Sequence, residues 1–323
     1  MRKVFLCSDP EVARRVSDPH RMRLLGLLMR RPATLTQLAQ AVGQSPAWVR
    51  HHLSVLVEAG VVELSEVRKR GRVTEKYYRA CSEGLLFQHW VLPAVSQPVV
   101  IFAGSHDLAL EQLAEALEPH LLLLAMPQGS LNGLVALRQG LCHLAGAHLH
   151  EPGGDFNLPT LRHLFPDRTV GVVTLAYRIQ GLMVAPGNPL GLRDLSDLAR
   201  PGLRWVGRNP GSGTHLWMQQ TVRRLGLALP APRQVVSTHT EAAALVAQGQ
   251  ADVAVGLEAA AARFGLVFIP LFAERYDLVF GMEQRERLAP LLDFLQSAAY
   301  RRRVRALPGY DPAQSGTLLS LEE

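Results

Sequence analysis

Hydrophobic residues in the first 60 positions recur at helical spacing in three segments. The first segment is 18–30, where Asp18 suits an N-cap and Pro19 suits the first turn, and the second is 36–41. The third begins after Ser45, and its predicted buried face consists of Val49, Leu53, Leu56 and Val57. We therefore predict three short helices that share one core.

From residue 61 the hydrophobic period changes to two residues, which is typical of strands. Two strands are predicted at 61–67 and 73–79, and the segment 68–72 between them is basic. Three helices followed by a hairpin with a basic tip predict a winged helix-turn-helix domain of the α+β class at residues 1–81. The apolar segment 82–97 is predicted to be a helix that connects two domains or makes a dimer contact.

Beyond residue 98 short strands and helices alternate along the chain. The predicted strands are 99–103, 121–126, 144–149, 203–206, 252–255 and 266–269. The predicted helices are 108–117, a helix beginning at 134, 216–225, 241–248 and 257–264. Repeated strand-turn-helix units predict an α/β domain with parallel sheets covered by helices, and ligands bind such domains at the C-terminal ends of the strands. We assign residues 98–323 to this domain.

Three of the turns that follow strands in this domain contain glycine and serine. They are Gly104-Ser105, Gly129-Ser130 and the longer segment 207–215. Each leads into a helix, whose first backbone N–H groups and positive dipole end favour an anion. A single turn of this kind is more often a plain connector, but Arg208 adds a forked cationic donor to the third. Together the three turns predict a cleft between two lobes that holds one small anion.

The charges of the chain are unevenly distributed. Of 34 Lys and Arg residues and 28 Asp and Glu residues in the 323-residue chain, residues 1–97 hold 15 and 8, a net charge of +7, and the remainder holds 19 and 20. A basic first third next to a nearly neutral remainder indicates that the first domain binds a polyanion, with nucleic acid as the leading candidate. The three scattered cysteines suggest no disulfide, and no apolar run is long enough for a membrane span. We therefore expect a cytoplasmic protein that does not bind membranes.

The third predicted helix and the hairpin tip carry the residues that we expect to contact DNA. The predicted DNA-binding residues are Ser45, Ala47, Trp48, Arg50, His51, Ser54, Lys69, Arg70 and Arg72. For Trp48 and His52, packing inside the domain is an alternative.

The run from Ser45 to Val62 resembles the recognition helix and first wing strand of ArsR-like bacterial transcription regulators. The resemblance implies a homodimer that reads inverted-repeat operator DNA. The cysteine-rich metal site of the metal-sensing members is absent here, so metal sensing by this domain is not expected.

Two extended segments, 170–186 and 272–280, could cross between the two lobes of the second domain. A double crossover is typical of a type II periplasmic-binding-protein fold. The segment Arg208 to His215 resembles the anion-binding loop of tungstate-binding proteins, and Glu274 to Val279 resembles the hinge strand of molybdate- and tungstate-binding proteins. The resemblance implies tungstate or molybdate as the effector, bound by Ser105, Ser130, Arg208, Gly211, Ser212, Gly213, Thr214 and Tyr276. His106 is an addition to this pattern that either binds the ligand or caps a helix.

These features predict a one-component transcription regulator in which anion binding alters operator binding. Two alternatives remain open: the same regulator sensing a small organic anion or a pterin-like ligand, and a non-regulatory protein of molybdenum-cofactor assembly. The sequence contains no nucleophile elbow, phosphate-binding lysine loop or paired acid motif, so we do not expect an enzyme. We expect no bound metal or other cofactor, and structural roles are favoured for His143, His148 and His150. Whether the ligand promotes or releases DNA binding is left open.

Overall fold

The computed structural model describes residues 4–7, 9–70, 73–88, 90–151 and 156–319. The chain divides into two compact units, Met1–Pro93 and Ala94–Glu323. No helix in the described part of the chain is long and apolar enough to span a membrane.

The first unit is a winged helix-turn-helix domain. Its elements are β1 (Val4–Cys7), α1 (Pro10–Val16), α2 (Pro19–Arg30), α3 (Leu35–Val42), α4 (Pro46–Glu58), β2 (Val62–Arg70), β3 (Val73–Ala80) and β4 (Gly84–Phe87). The expected N-caps are present, because the Asp18 carboxylate accepts from the N–H groups at the start of α2 and the Ser45 hydroxyl accepts from Trp48 N. Leu24, Leu38, Val49 and Leu56 form the centre of a core shared by the three predicted helices.

The prediction of a helix over 82–97 is wrong. Residues 84–87 form β4, which pairs in parallel with β1, and residues 90–98 form no regular element. Leu85 and Phe87 pack against the helical core while Leu86 between them is 57% exposed, so this segment alternates as a strand does. Two further elements, β1 and α1, were not predicted from the sequence.

The second unit has two lobes joined by two long strands. The first lobe contains β5 (Val99–Gly104), α5 (Leu108–Leu117), β6 (Leu122–Pro127), α6 (Ser130–Arg138), β7 (Leu144–Ala147) and α7 (Leu158–Leu164). The strand β8 (Val170–Val184) then crosses to the second lobe. That lobe contains β9 (Trp205–Arg208), α8 (Gly213–Leu225), β10 (Gln234–Val236), α9 (His239–Ala247), β11 (Val253–Leu257) and α10 (Glu258–Arg263).

The strand β12 (Val267–Gly281) returns to the first lobe. The chain then forms α11 (Ala289–Gln296), α12 (Ala298–Arg305), β13 (Tyr310–Asp311) and β14 (Leu318–Leu319). Strands β8 and β12 pair antiparallel from Val170 opposite Gly281 to Val184 opposite Val267. This pair is the double crossover that the sequence predicts for a two-lobed fold.

The sheet is mixed, with the strand order β10-β9-β11-β8-β12-β7-β5-β6. Strand β5 pairs in parallel with β6 and β7, and β9 pairs in parallel with β10 and β11. The predicted parallel strands therefore occupy the two ends of this order, one set in each lobe. The crossing strands add antiparallel pairs, β8 with β11 and β12 with β7.

Candidate functional site

The three glycine- and serine-containing turns meet where the two lobes face each other. Ser105 Oγ and Ser130 Oγ in the first lobe lie 3.0 Å apart. From the second lobe, Gly211 O accepts a hydrogen bond from Leu131 N at 3.0 Å, and Asn209 Nδ2 donates to Gln128 O at 3.0 Å. The lobes are thus in a closed arrangement, held by direct contacts between their loops.

Gly129 permits this close approach of the lobes. Its φ is +90°, and a Cβ at this position would lie 2.7 Å from Ser212 N and 2.9 Å from the carbonyl carbon of Gly211. Any side chain here would collide with the backbone of the opposite lobe, so closure requires glycine.

Arg208 is a buried cation without a carboxylate partner among the described residues. The residue is 2% exposed. Its guanidinium donates to Val236 O at 3.4 Å, to Ser237 O at 2.8 Å and to His239 Nδ1 at 2.8 Å. Burial, and then the positive charge of Arg178, lower the pKa of Arg208 to about 9. Three of the five N–H groups of a guanidinium are engaged in this way, so two remain for a ligand.

His239 adds a neutral donor beside Arg208. Because a guanidinium only donates, His239 Nδ1 must accept, and the ring proton therefore resides on Nε2. Burial, and then the charge of Arg208, lower the pKa of His239 well below its usual value, so the ring is neutral. Its Nε2–H is buried and has no hydrogen-bond partner in the described structure.

The serines and the start of α8 supply further donors. In the Ser105–Ser130 pair one hydroxyl proton is used between the two oxygens, which leaves one O–H. Ser212 Oγ accepts from His215 N at 3.2 Å, so its own proton is available. At the start of α8, the N–H groups of Gly213 and Thr214 have no partner among the residues that the structure describes.

A buried ionic network lies behind these donors on the crossing strands. Arg178 on β8 forms ion pairs with Asp107 and with Glu274 on β12, and all three residues are at most 1% exposed. Glu274 also accepts from Gln180 Nε2 at 2.6 Å and lies 2.8 Å from His148 Nδ1. Burial opposes ionisation of Glu274, but His148 and Arg178 together outweigh it and lower its pKa to about 2.

This network was not predicted from the sequence, although the sequence carries a signal for it. Arg178 and Gln180 interrupt the apolar run of β8, and Glu274 interrupts that of β12. Polar side chains in the middle of a buried strand must be paired or functional.

The predicted ligand residues lie close together, but the hydroxyl groups of two of them donate hydrogen bonds to other protein groups. Thr214 donates to Gln180 Oε1 at 2.9 Å, since the amide nitrogen of Gln180 faces a carboxylate. The Tyr276 hydroxyl donates to Ser105 O at 2.5 Å and so fixes the first turn. These two hydroxyl groups orient the site and have no proton left for a ligand.

His106 does not cap α5. Asp107 is the N-cap, because its carboxylate accepts from Leu110 N at 2.9 Å. His106 Nε2 lies 2.7 Å from Glu111 Oε1, while its Nδ1 is buried and has no partner among the described residues. Of the two roles that the sequence left open, contact with a ligand stays as a prediction.

The other histidines of the first lobe have structural contacts. His143 Nδ1 accepts from Ile101 N at 2.9 Å, and His150 packs edge-on against Phe272 at 5.9 Å between ring centroids. Within the described ranges no group of three or more His, Cys, Asp or Glu residues could hold a metal ion.

The candidate DNA-binding face of the first unit lies on α4. Five of its predicted contact residues are exposed: Ser45, Ala47, Arg50, His51 and Ser54. Trp48 is half-buried, with its ring 4.1 Å from the His52 ring and 5.1 Å from the His20 ring, centroid to centroid. It therefore packs inside the domain as well as reaching its surface.

The wing borders a groove next to this helix. A cavity of about 850 Å³ lies between α3, α4 and β3, and Arg50, Ser54 and Lys76 are among its lining residues. Lys69 is exposed on β2. The side chain of Arg70 and all of Arg72 lie outside the described residues.

Known proteins match both units of the chain. The family described as a PBP superfamily domain matches residues 110–296, and a helix-turn-helix domain family matches residues 16–65. YvgK, an uncharacterized protein of Bacillus subtilis (strain 168), is 30% identical over 230 residues, which cover 69% of this chain and 74% of YvgK. An uncharacterized protein encoded in the 5′ region of a ferredoxin gene of Clostridium pasteurianum is 33% identical over 86 residues, 26% of this chain and 76% of that protein.

A solved structure agrees with the fold. It is that of a Clostridium perfringens protein assigned as a phosphate ABC transporter substrate-binding protein, with bound phosphate. The two chains are 17% identical with a TM-score of 0.50, over 64% of this chain and 96% of that one. Since the superfamily match covers more than half of its residues, the chain belongs to the PBP superfamily and carries a helix-turn-helix domain ahead of the binding-protein fold.

Proposed function

We propose that this chain is a DNA-binding transcription regulator whose second unit senses a small oxyanion. The observation that carries the proposal is Arg208, a buried guanidinium with no carboxylate partner in the described structure, at the junction of two lobes. A buried charge that no carboxylate contacts is costly, and an anion bound against Arg208 would reduce that cost. The hydroxyl and N–H donors around Arg208 suit the oxygens of such an anion.

The dimensions of the site favour a small guest. The loops of the two lobes are in direct contact: Gly129 lies against Ser212, and Leu131 N donates a hydrogen bond to Gly211 O. A tetrahedral oxyanion fits between such loops more readily than a pterin or another planar organic ligand. Tungstate and molybdate are the candidates implied by the resemblance of the loop 208–215.

The first unit supports the regulatory half of the proposal. Residues 1–97 carry a net charge of +7, and α4 exposes Arg50 and His51 on one face. Basic charge supplies the sequence-independent part of DNA affinity, and exposed side chains of a recognition helix read base edges. We propose that the chain acts as a homodimer on operator DNA in the cytoplasm, and that the role of the site is binding rather than catalysis.

Isothermal titration calorimetry with tungstate, molybdate, sulfate and phosphate tests the sensing half. We expect at least one anion to bind, and Arg208→Gln to weaken its binding about 100-fold, since a buried charged hydrogen-bonding group contributes roughly 2–3 kcal/mol. Arg224→Gln, an exposed arginine on α8, is the matched control and should bind as the wild type does. Absence of heat with all four anions would contradict the proposal.

A gel-shift assay with the DNA upstream of the chain's own gene tests the regulatory half. Arg50→Ala should weaken the shift by about 1–3 kcal/mol in binding free energy, because it removes a contact to a base edge or phosphate. Arg23→Ala, which removes an exposed arginine from α2, is the control. A shift that is equally strong in both variants would count against this DNA-binding face.

A further inference from the structure

His148 has a buried ring nitrogen next to the donors of the proposed anion site. Its Nδ1 lies 2.8 Å from Glu274 Oε2, and its Nε2 is buried without a hydrogen-bond partner among the described residues. The backbone N–H of His148 donates to Ser130 Oγ at 3.2 Å. A Cβ on Gly213 would lie 2.5 Å from His148 Cε1 and Nδ1. The ring therefore lies between a donor of the first lobe and the first residue of α8 in the second.

The hydrogen bonds of Glu274 determine which nitrogen of His148 carries the proton. Glu274 Oε1 accepts from Arg178 Nε at 2.7 Å and from Gln180 Nε2 at 2.6 Å, as an ionised carboxylate does. An ionised carboxylate cannot donate, so the proton resides on His148 Nδ1. Burial lowers the pKa of His148, which keeps the ring neutral. Its Nε2 is consequently a lone-pair acceptor, whereas Nε2 of His239 is a donor.

The buried charges around the site sum to zero, although no carboxylate contacts Arg208 among the described residues. Two cations, Arg178 and Arg208, stand against two carboxylates, Asp107 and Glu274, and none of the four is more than 2% exposed. A dianion would add two negative charges to this neutral set with little solvent to stabilise them. In addition, its oxygens carry only lone pairs, which repel the lone pair of His148 Nε2. A single proton between the two atoms would remove the lone-pair repulsion and neutralise one of the two added negative charges.

We propose that the closed cleft binds each oxyanion together with one proton and holds that proton between a ligand oxygen and His148 Nε2. The inference rests on the proposed function, because it concerns the same anion. The proton has two possible sources. Phosphate and arsenate retain a proton at neutral pH and bring it with them. Sulfate, tungstate and molybdate are fully deprotonated, so the proton comes from solution onto Nε2 and forms an imidazolium.

The charged and titratable groups that face His148 each keep one protonation state between pH 6 and 8. They are Glu274 and Tyr276 on β12, Arg178 on β8, Arg208 on β9 and His239 on α9. Glu274 has a pKa of about 2 and Arg208 one of about 9, burial raises the pKa of Tyr276 well above its usual value, and the pKa of Arg178 is also raised. His239 remains neutral because burial and Arg208 lower its pKa.

Calorimetry on the full chain with sulfate and with phosphate, each at pH 7 in two buffers of different ionisation enthalpy, measures the proton directly. We expect uptake of one proton per sulfate and of less than one per phosphate. Over pH 6–8 the Kd for sulfate should rise about tenfold per pH unit, because one proton enters with each anion. Tungstate should behave as sulfate does. A Kd for sulfate that is constant over this range, with no proton uptake, would overturn the inference.

Two variants distinguish proton uptake from anion binding. His148→Phe should abolish both the proton uptake and the pH dependence for sulfate. His239→Gln removes a donor beside Arg208, so it should weaken binding about tenfold and retain the uptake of one proton. His163→Phe, at an exposed position in α7, is the control and should match the wild type.

The outcomes also distinguish this inference from the proposed function. Anion binding that requires Arg208 but takes up no proton would leave the proposed function standing and overturn the role of His148. If no anion binds, both fail. Should His148→Phe not fold, the two-buffer measurement on the wild type still decides.

Discussion

Arg178 and Arg208 are both buried arginines of the second unit, but their partners differ. Arg178 has two carboxylate partners, whereas Arg208 has carbonyl groups and a neutral imidazole. Arg178→Gln would leave Asp107 and Glu274 as unpaired buried charges, so we expect a loss of about 3–5 kcal/mol in the free energy of unfolding. Arg208→Gln removes a buried charge that no carboxylate contacts, and the anion-free protein should stay within about 1 kcal/mol of wild type or become more stable. Urea denaturation without added anions measures both.

Equal destabilisation by the two substitutions would show that Arg208 is a structural cation. The predicted contrast, together with the loss of anion binding in Arg208→Gln, distinguishes a residue that stabilises the fold from one that binds the ligand.

The buried histidines make stability depend on pH. His148 and His239 have folded-state pKa values below their usual value of 6.5 because both are buried. The unfolded chain therefore binds more protons as the pH falls below 6.5, and stability decreases. Each histidine contributes up to about 1.4 kcal/mol per pH unit until its folded pKa is reached. Glu274, with a lowered pKa, loses its contribution only below about pH 4.5, outside this window.

Urea denaturation of the anion-free protein at pH 7.5, 6.5 and 5.5 measures this effect. The free energy of unfolding should change little from pH 7.5 to 6.5 and decrease from 6.5 to 5.5. In His239→Gln this decrease should be smaller than in the wild type. A decrease of the same size in both proteins would assign the acid sensitivity to other groups.

At the residue scale the sequence predicted which side chains assemble but not what each one does. Ser105, Ser130, Arg208 and Ser212 follow strand ends, so their convergence is a consequence of topology. The roles of Thr214 and Tyr276 depend on hydrogen-bond partners that are 34 and 171 positions away in the chain. Local spacing carries no information on such partners.

At the scale of elements, Gly129 controls closure of the lobes. Gly129→Ala should prevent the loop from reaching Ser212 and weaken anion binding at least tenfold, since closure would require the backbone to shift. Gly140→Ala is a control, because Gly140 also has a positive φ, +70°, but nothing lies within 4 Å of a Cβ there. Calorimetry measures the affinity, and small-angle scattering should show that phosphate or tungstate compacts the wild type and not Gly129→Ala. Unchanged affinity in Gly129→Ala would show that the closed arrangement is not the binding form.

Elements with strong local signals were predicted well, and those that depend on distant pairing were not. The helices α2 and α4 have N-caps, proline at the first turn and a periodic apolar face, so their sequences specify them. Strand β4 has only four residues, and its partner β1 lies about 80 positions earlier in the chain. Such a short apolar segment fits a helix or a strand equally until its partner is known.

At the scale of the whole molecule, the two units must be coupled for the protein to regulate. If a bound anion changes operator affinity by some factor, thermodynamic linkage requires operator DNA to change anion affinity by the same factor. A coupling free energy of about 1–3 kcal/mol would make this factor roughly 5 to 150.

We therefore expect the Kd for the anion, measured by calorimetry with and without saturating operator DNA, to change by the factor that the anion produces in fluorescence-anisotropy titrations of the operator. Arg208→Gln should retain operator binding and lose its response to the anion, whereas Arg50→Ala should retain anion binding and lose operator affinity. An anion that binds Arg208-dependently but leaves operator affinity unchanged would show that the units act independently and would exclude regulation by this ligand.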